Sequence, residues 1–345
     1  MIRARRSVLM GALWQVATVA VAAPPAEKAT CATCHQQEAS SQPKSPMGIG
    51  IELQDTQAVL KAHPMLTFES HGYKYVIERK DGVSTYTVSD GVGSLSLPIH
   101  YGFGVSAQTF VLEYNGRFYE SLVSYYPRAG LAITMGSERI RPQTLVEAMG
   151  RETPTEEIVS CFGCHSSGGV SDGKLALDSM RPGLDCEHCH AGARAHLDAM
   201  TGGKPAPAPK KLGEMPAEDM STFCGSCHRT WNTVLRMKTW GPLNVRFQPY
   251  RLANSKCFLG NDRRISCTAC HDPHGTLVRD PASYDHNCLA CHGKAQVSSV
   301  ALKTCPVSGN KCVSCHMPKV ELPGSHGIFT DHQIRIVHPG EAYPN

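Results

Sequence analysis

The sequence predicts a mostly α-helical and irregular chain with an antiparallel β region inserted near its N-terminal end. Two observations predict this architecture. Six copies of the motif C-x-x-C-H lie within residues 161–316, and a seventh occupies residues 31–35. The segment between them, residues 65–140, contains no cysteine and alternates apolar with polar residues, which is typical of half-buried strands.

Each C-x-x-C-H motif has the spacing of a haem c attachment site. Its two thiols, three positions apart, can each form a thioether with one haem vinyl group, and the histidine that follows lies under the iron as an axial ligand. The predicted cofactor is therefore seven covalently bound haem c groups. The attachment cysteines are Cys31, Cys34, Cys161, Cys164, Cys186, Cys189, Cys224, Cys227, Cys267, Cys270, Cys288, Cys291, Cys312 and Cys315. The proximal histidines are His35, His165, His190, His228, His271, His292 and His316.

Two other uses of cysteine pairs explain the pattern less well. A disulfide framework does not require a histidine after every pair, and structural zinc would need two motifs to share one ion. The motifs use 14 of the 16 cysteines. The two that remain, Cys257 and Cys305, either form a disulfide, which an oxidising compartment favours, or stay as buried free thiols.

The density of motifs limits the protein core. The chain is 41% hydrophobic, with 23 prolines and 31 glycines, and the six clustered motifs leave about 26 residues for each haem. The haems must therefore supply most of the apolar core in that region, so we expect short helices and loops wrapped around stacked haems.

The N-terminal residues, 1–23, have the three parts of a secretory signal peptide: a basic start, an apolar run and a small-residue cleavage site. The protein is therefore expected in the periplasm or outside the cell. Loss of Arg3, Arg5 and Arg6 with this segment lowers the formal net charge from +4 to +1, and each ferric haem adds about one negative charge. Nucleic-acid binding has no support from this charge.

The rest of the chain divides into three predicted segments. Residues 24–64 carry the first haem, residues 65–140 form the β insert, and residues 141–345 form a hexahaem domain. The clearest strand signal is a hairpin whose turn is Asn115-Gly116, flanked by alternating runs. We expect about four to six strands in the insert.

Ten histidines remain after the seven proximal ones, enough to give every iron a second ligand. His196 and His274 each follow a motif closely, while His326 and His332 follow the last one. Each of these four is placed to reach the haem of a neighbouring motif rather than its own, and we predict that they are distal ligands.

Weaker ligand candidates lie towards the N-terminus. His63 and His100 lie in or beside the β insert, where a lone histidine is more often a surface or core residue. Met47 either ligates the first haem or only packs against it. Between the fourth and fifth motifs, Arg246 and Arg251 are placed to pair with haem propionates.

Three runs of sequence resemble a known family. Residues 186–196, 266–275 and 312–319, the last followed by Thr330-Asp331-His332, resemble multihaem c-type cytochromes with doubled C-x-x-C-H motifs, a group related to hydroxylamine-oxidoreductase-type proteins and their electron-carrier partners. The resemblance covers about residues 161–332 and implies bis-histidine, low-spin haems in stacked pairs. The chain departs from the group in having no C-x-x-C-K motif and seven rather than eight haem motifs, and the group does not account for the β insert.

These observations predict an exported heptahaem cytochrome that passes electrons between closely packed haems and between redox partner proteins, among them a membrane-associated donor or acceptor. Two alternatives stay open. One is an oxidoreductase that keeps one haem five-coordinate, most readily the first, and acts on a small nitrogen or sulfur compound. The other is a homo-oligomer, as a subunit of an extracellular haem filament.

Overall fold

The computed structural model describes residues 30–105, 107–205, 208–293 and 305–344. The predicted signal peptide, residues 1–23, lies outside this part. Within the four described ranges, no helix is both long enough and apolar enough to cross a bilayer.

The N-terminal half is dominated by antiparallel strands. Their bounds are β1 Ile51–Leu53, β2 Met65–Ser70, β3 Tyr73–Lys80, β4 Val83–Ser89, β5 Ser94–Pro98, β6 Tyr101–Phe103, β7 Thr109–Tyr114, β8 Arg117–Ser121, β9 Val123–Tyr126, β10 Gly130–Ile133 and β11 Gly150–Glu152. Strands β2 to β5 form a four-stranded meander, β1, β6, β7, β8 and β11 form a five-stranded sheet in that order, and β9 pairs with β10.

The predicted hairpin is confirmed. Strand β7 pairs with β8 so that Tyr114 faces Arg117, and the two turn residues, Asn115 and Gly116, have φ angles of +50° and +70°. A two-residue turn with both φ angles positive matches the right-handed twist of the flanking strands, and asparagine and glycine adopt this conformation with the least strain.

The β region is larger than the sequence predicted. Residues 65–140 contain nine strands rather than about four to six. Strand β1 precedes these residues and pairs with β6, and β11 follows them and pairs with β8. Both pairings join segments far apart in sequence, so local alternation did not reveal them.

Two apolar clusters fill this region. The larger lies between the sheets and includes Tyr75, Tyr86 and Leu112, all almost completely buried. The smaller packs sheet residues such as Phe103 against Phe162, and the rings of these two phenylalanines meet edge to face at 5.2 Å. Because Phe162 lies inside the second C-x-x-C-H motif, the sheet positions that motif directly.

The C-terminal half consists of short helices and loops. The helices of the chain are α1 Gln36–Ser41, α2 Ala58–Ala62, α3 Leu145–Met149, α4 Thr155–His165, α5 Cys186–Cys189, α6 Ala193–Thr201, α7 Ala217–His228, α8 Trp231–Met237, α9 Gln248–Ala253, α10 Cys267–Cys270, α11 Asp285–His292 and α12 Val313–His316. Six short strands accompany them: β12 Ser166–Ser167, β13 Val170–Ser171, β14 Lys174–Leu175, β15 Arg181–Pro182, β16 Lys319–Leu322 and β17 Gly327–Thr330.

Two helix starts follow the capping signals in the sequence. The Thr144 hydroxyl accepts a hydrogen bond from the Glu147 backbone N–H at 3.2 Å, which caps α3. Helix α4 begins directly after Pro154 and carries Glu156 and Glu157 in its first turn, where negative charge interacts favourably with the helix dipole. Helix α4 therefore leads directly into Cys161.

Truncation of Leu112 tests the β core. Leu112 is completely buried, so Leu112→Ala should lower the free energy of opening of the β region by about 2–5 kcal/mol through lost burial and a residual cavity. Native-state hydrogen exchange of the amides in β3, β4 and β7 measures this change. Glu113→Ala, at the exposed neighbouring position, is the control, and equal losses in both variants would contradict the assignment of Leu112 to the core.

Candidate haem-binding sites

The local structure of the motifs suits haem attachment. The second, fourth, sixth and seventh motifs each lie at the end of a helix, whose last residue is the motif histidine. In the third and fifth motifs a four-residue helix runs from the first cysteine to the second, and the first motif lies on a 3₁₀ turn. One helical turn places residues three apart on the same side. In the first, third and fifth motifs the histidine backbone N–H donates to the carbonyl of the first cysteine at 2.8, 2.8 and 2.9 Å. Both thiols and the imidazole therefore belong to one closed turn.

The motifs also lie next to one another. The Cys227 thiol, with burial, raises the pKa of Cys164, and Cys267, with burial, raises that of Cys224. Burial and the nearby Cys31 thiol raise the pKa of Cys186. A thioether sulfur does not titrate, so what matters in these pairs is their proximity. They place the second motif beside the fourth, the fourth beside the fifth, and the first beside the third.

Electrostatic interactions between thiols link the remaining motifs. Burial, then the Cys224 and Cys227 thiols, raise the pKa of Cys189, which joins the third motif to the fourth. Burial also raises the pKa of Cys288. A hydrogen bond with the Cys312 thiol lowers this pKa, and the nearby Cys270 thiol raises it. The fifth, sixth and seventh motifs are therefore neighbours, and all seven form one unbroken set.

Two of the motif histidines, which are predicted proximal ligands, are held by backbone carbonyl groups. His165 Nδ1 lies 2.8 Å from the Gly50 carbonyl oxygen, and His316 Nδ1 lies 2.8 Å from that of Arg335. A carbonyl only accepts, so each Nδ1 carries the proton and each Nε2 is left with its lone pair. Metal-binding histidines characteristically have such a partner, which fixes the ring and its tautomer.

Two predicted distal histidines lie opposite proximal ones. The ring centroids of His190 and His274 are 6.1 Å apart with planes within 5°, and those of His271 and His332 are also 6.1 Å apart, with planes at 43°. With metal–nitrogen bonds of about 2 Å, two imidazoles on opposite sides of one metal have ring centroids roughly 6 Å apart. Both pairs therefore have the separation that a bis-histidine haem requires.

The predicted distal member of each pair has its Nδ1 held by a neighbouring oxygen. His274 Nδ1 is 3.3 Å from an Asp272 carboxylate oxygen, and His332 Nδ1 donates to the Thr330 carbonyl at 3.0 Å. Burial, then the neighbouring His271, lower the pKa of His332 to about 4. His332 is therefore neutral at physiological pH, and the neutral ring is the form that binds metal.

His196, on α6, has a buried Nδ1 with no hydrogen-bond partner. An unpaired buried nitrogen is costly unless a ligand or metal satisfies it. The observation fits the predicted distal role, although no proximal ring faces His196 within the described part of the chain.

The other candidates lie in different surroundings. His63 Nε2 is 3.0 Å from the Tyr125 hydroxyl, the His100 ring lies edge-on to Tyr101, and His326 packs on Tyr126 with centroids 4.9 Å apart. The structure thus places these three histidines against tyrosines of the β region. Met47 is half-buried, and its backbone carbonyl accepts from the Leu184 N–H at 3.0 Å.

The two arginines predicted to pair with propionates differ. Arg251 is completely buried, and its guanidinium binds Asp331 at 2.8 Å, so its role is to hold the protein together and that prediction was wrong. Burial lowers the pKa of Arg246, and nearby Arg229 adds to the effect. The Arg246 Nε has no hydrogen-bond partner in the described part of the chain, so Arg246 remains a candidate for a carboxylate ligand.

The two leftover cysteines are free. Cys257 and Cys305 are both exposed and unbonded in the structure, which corrects the disulfide that the sequence favoured. Although Cys257 is exposed as a residue, partial desolvation of its thiol, together with the nearby Cys291 thiol of the sixth motif, raises its pKa.

The surfaces around the motifs suit a large apolar group. The described part of the C-terminal half has one small buried cluster, made of Val234, Phe247 and Tyr250. Trp231, Trp240 and other large apolar side chains are instead 44–58% exposed. These exposed side chains are available to pack against a bound apolar group. Together with the histidines whose Nδ1 is held, they are residues that fit haem c.

A comparison with models of known protein families also found a haem protein. Residues 134–191 match the family model for cytochrome c554 and c-prime, a segment that contains the second and third motifs. This match supports a c-type cytochrome. It covers about a sixth of the chain, and it implies covalently bound haem c and electron transfer. The search of curated proteins and the search of solved structures gave no match.

Sequence reasoning missed the groups that orient the ligands. The carbonyls of Gly50 and Arg335 have no sequence signature, because any residue supplies a carbonyl. Asp272 and Asp331 were visible as acidic residues within two positions of a candidate histidine, and that pattern was the available signal.

Substitution of His274 tests the paired geometry. In the haem-loaded protein, His274→Ala should remove one axial ligand and convert one low-spin haem to high spin, a change that electron paramagnetic resonance detects. His71→Ala is the control, because His71 is exposed in the β region and hydrogen-bonded to Ser70. Unchanged low-spin signals in His274→Ala would rule out His274 as a ligand.

Proposed function

We propose that this protein is an exported heptahaem c-type cytochrome that transfers electrons along a series of closely packed haems. The observation that carries the proposal is the continuity of the seven motifs. Thiols of the first, third, fourth, fifth, sixth and seventh motifs follow one another as neighbours, and the second motif joins at the fourth. Haems attached to such a set would leave no wide gap in the series.

The chain supplies attachment and orientation. The fourteen motif cysteines would hold the macrocycles by thioether bonds, and the seven motif histidines would be proximal ligands. His274 and His332 would be distal ligands at the third and fifth motifs, and His196 would be a third. When bound, haem c supplies one-electron redox chemistry. No side chain of the protein need act as an acid or a base.

Arg246 would bind a propionate at the edge of a haem. Its unpaired Nε is buried, and a guanidinium forms strong, directional hydrogen bonds with a carboxylate. Such a contact would neutralise charge that otherwise accumulates among closely spaced haems.

The cellular setting follows from the N-terminal residues, 1–23. A signal peptide there would export the chain to the periplasm or beyond. Its partners would be redox proteins, among them a membrane-associated donor or acceptor, and not nucleic acid. The doubled motifs and the spacing of His196, His274 and His332 support a relationship to the electron carriers of the hydroxylamine-oxidoreductase group.

Haem counting tests the proposal. The protein purified from cells competent in cytochrome maturation should have a mass that exceeds the mature polypeptide by seven haem groups. The pyridine haemochrome spectrum should give the same count. Cys312→Ala with Cys315→Ala should lower the count by one, and Cys257→Ala, which removes a cysteine outside the motifs, should leave it at seven.

Spin state separates electron transfer from catalysis. An electron carrier with every iron six-coordinate should show only low-spin ferric signals. A high-spin signal that shifts when hydroxylamine or nitrite is added would instead indicate an open iron and an enzyme. A count below seven would contradict the heptahaem proposal itself.

A further inference from the structure

A buried cluster of charges lies where the C-terminal segment returns over α9. Arg251 donates from Nε and Nη2 to the two carboxylate oxygens of Asp331, at 2.8 and 2.9 Å. Arg335 donates from Nη1 to the same carboxylate at 2.7 Å. The side chains of Arg251 and Asp331 are completely buried. We call these three residues the Asp331 network.

The remaining donors of Arg251 are also satisfied. They bind the Pro344 carbonyl at 2.7 Å, the Gln333 side-chain oxygen at 2.7 Å and the Asn244 side-chain oxygen at 3.4 Å. The guanidinium also lies 4.6 Å from the centre of the Tyr343 ring. A buried ion pair of this kind adds little net stability over apolar residues of the same volume. Its role is better explained by what it positions.

The network holds the backbone on both sides of His332. Asp331 precedes this histidine directly, and its carboxylate accepts from the Gln333 N–H at 3.0 Å. The Ser255 hydroxyl accepts from the Ile334 N–H at 2.8 Å. The His332 backbone is therefore fixed to the body of the protein, and its ring faces His271 with centroids 6.1 Å apart.

The network also reaches a second ligand. The Arg335 carbonyl accepts from His316 Nδ1 at 2.8 Å, and the Arg335 N–H donates to the His316 carbonyl at 3.1 Å. The side chain of Arg335 thus binds Asp331 while its main chain holds the seventh proximal histidine. Glu341 accepts from Arg335 Nε at 3.0 Å, so the cluster as a whole contains two positive and two negative groups.

We propose that Asp331 is a positioning residue for two haem ligands at once, the distal His332 at the fifth motif and the proximal His316 at the seventh. The carboxylate acts through Arg251 and Arg335 and touches neither iron. A single charge therefore sets the ligand geometry of two haems. This inference rests on the proposed function, because both histidines act as ligands only in the haem-loaded chain.

Asp331→Asn tests the inference in the haem-loaded protein. The amide keeps the shape of the carboxylate but leaves Arg251 without a counter-charge and Arg335 with Glu341 alone. High-spin haem should rise to about one seventh of the total, because His332 no longer holds its position. The midpoint potentials of two of the seven haems should move in a potentiometric titration. Added imidazole should restore the low-spin signal by filling the vacated axial position, and an unchanged circular dichroism spectrum would exclude unfolding as the cause.

Two further variants serve as reference and control. His332→Ala gives the spectrum of a protein that lacks the fifth distal ligand, and the high-spin signal of Asp331→Asn should match it. Glu152→Gln makes the same chemical change in the bidentate Arg117–Glu152 pair of the β region and should change neither spin state nor potentials. Unchanged spectra and potentials in Asp331→Asn, at full haem content, would overturn the inference.

If the Asp331→Asn variant does not accumulate, Arg335→Gln tests the double role of Asp331 instead. It leaves the Arg251–Asp331 pair intact, so it should shift the potential of the seventh haem alone and leave the fifth haem low-spin. An unshifted seventh haem would overturn the double role of Asp331. A wild-type protein without low-spin haem would overturn the proposed function instead, so the two failures are distinguishable.

Discussion

A hydrogen bond to one ring nitrogen of a histidine orients the ring and leaves the other nitrogen for a metal, and this interaction organises the candidate sites. His165, His316 and His332 each donate Nδ1–H to a backbone carbonyl within 3.0 Å. The carbonyls come from distant segments for His165 and His316, so the fold must be assembled before those rings are oriented. Strand β1, the C-terminal segment and the buried charges around Asp331 therefore all help to orient the rings of candidate ligands.

The two halves of the chain obtain their stability differently. The β region has a continuous apolar core of sixteen buried residues, while the described C-terminal half has a buried cluster of three. Haems would supply the apolar surface that this half lacks. The buried Arg251–Asp331 pair contributes specificity more than stability, although loss of one partner would cost about 3–5 kcal/mol by leaving the other charge unpaired.

Local features of the fold followed from the sequence. The Asn115-Gly116 turn and the start of α4 were predictable, because turn and capping preferences act within a few residues. The pairing of β1 with β6 was not, since the four strands β2 to β5 lie between them in the sequence. Nor was the role of Arg251, whose partner lies eighty residues further along the chain.

The sequence by itself determined the chemistry of attachment, since two thiols and a histidine within five positions form one turn wherever that turn lies. Only the tertiary structure decided which motifs are neighbours and which histidine faces which. The pairs His190–His274 and His271–His332 are 84 and 61 positions apart. Distances of that kind depend on how the whole chain packs, and no local spacing encodes them.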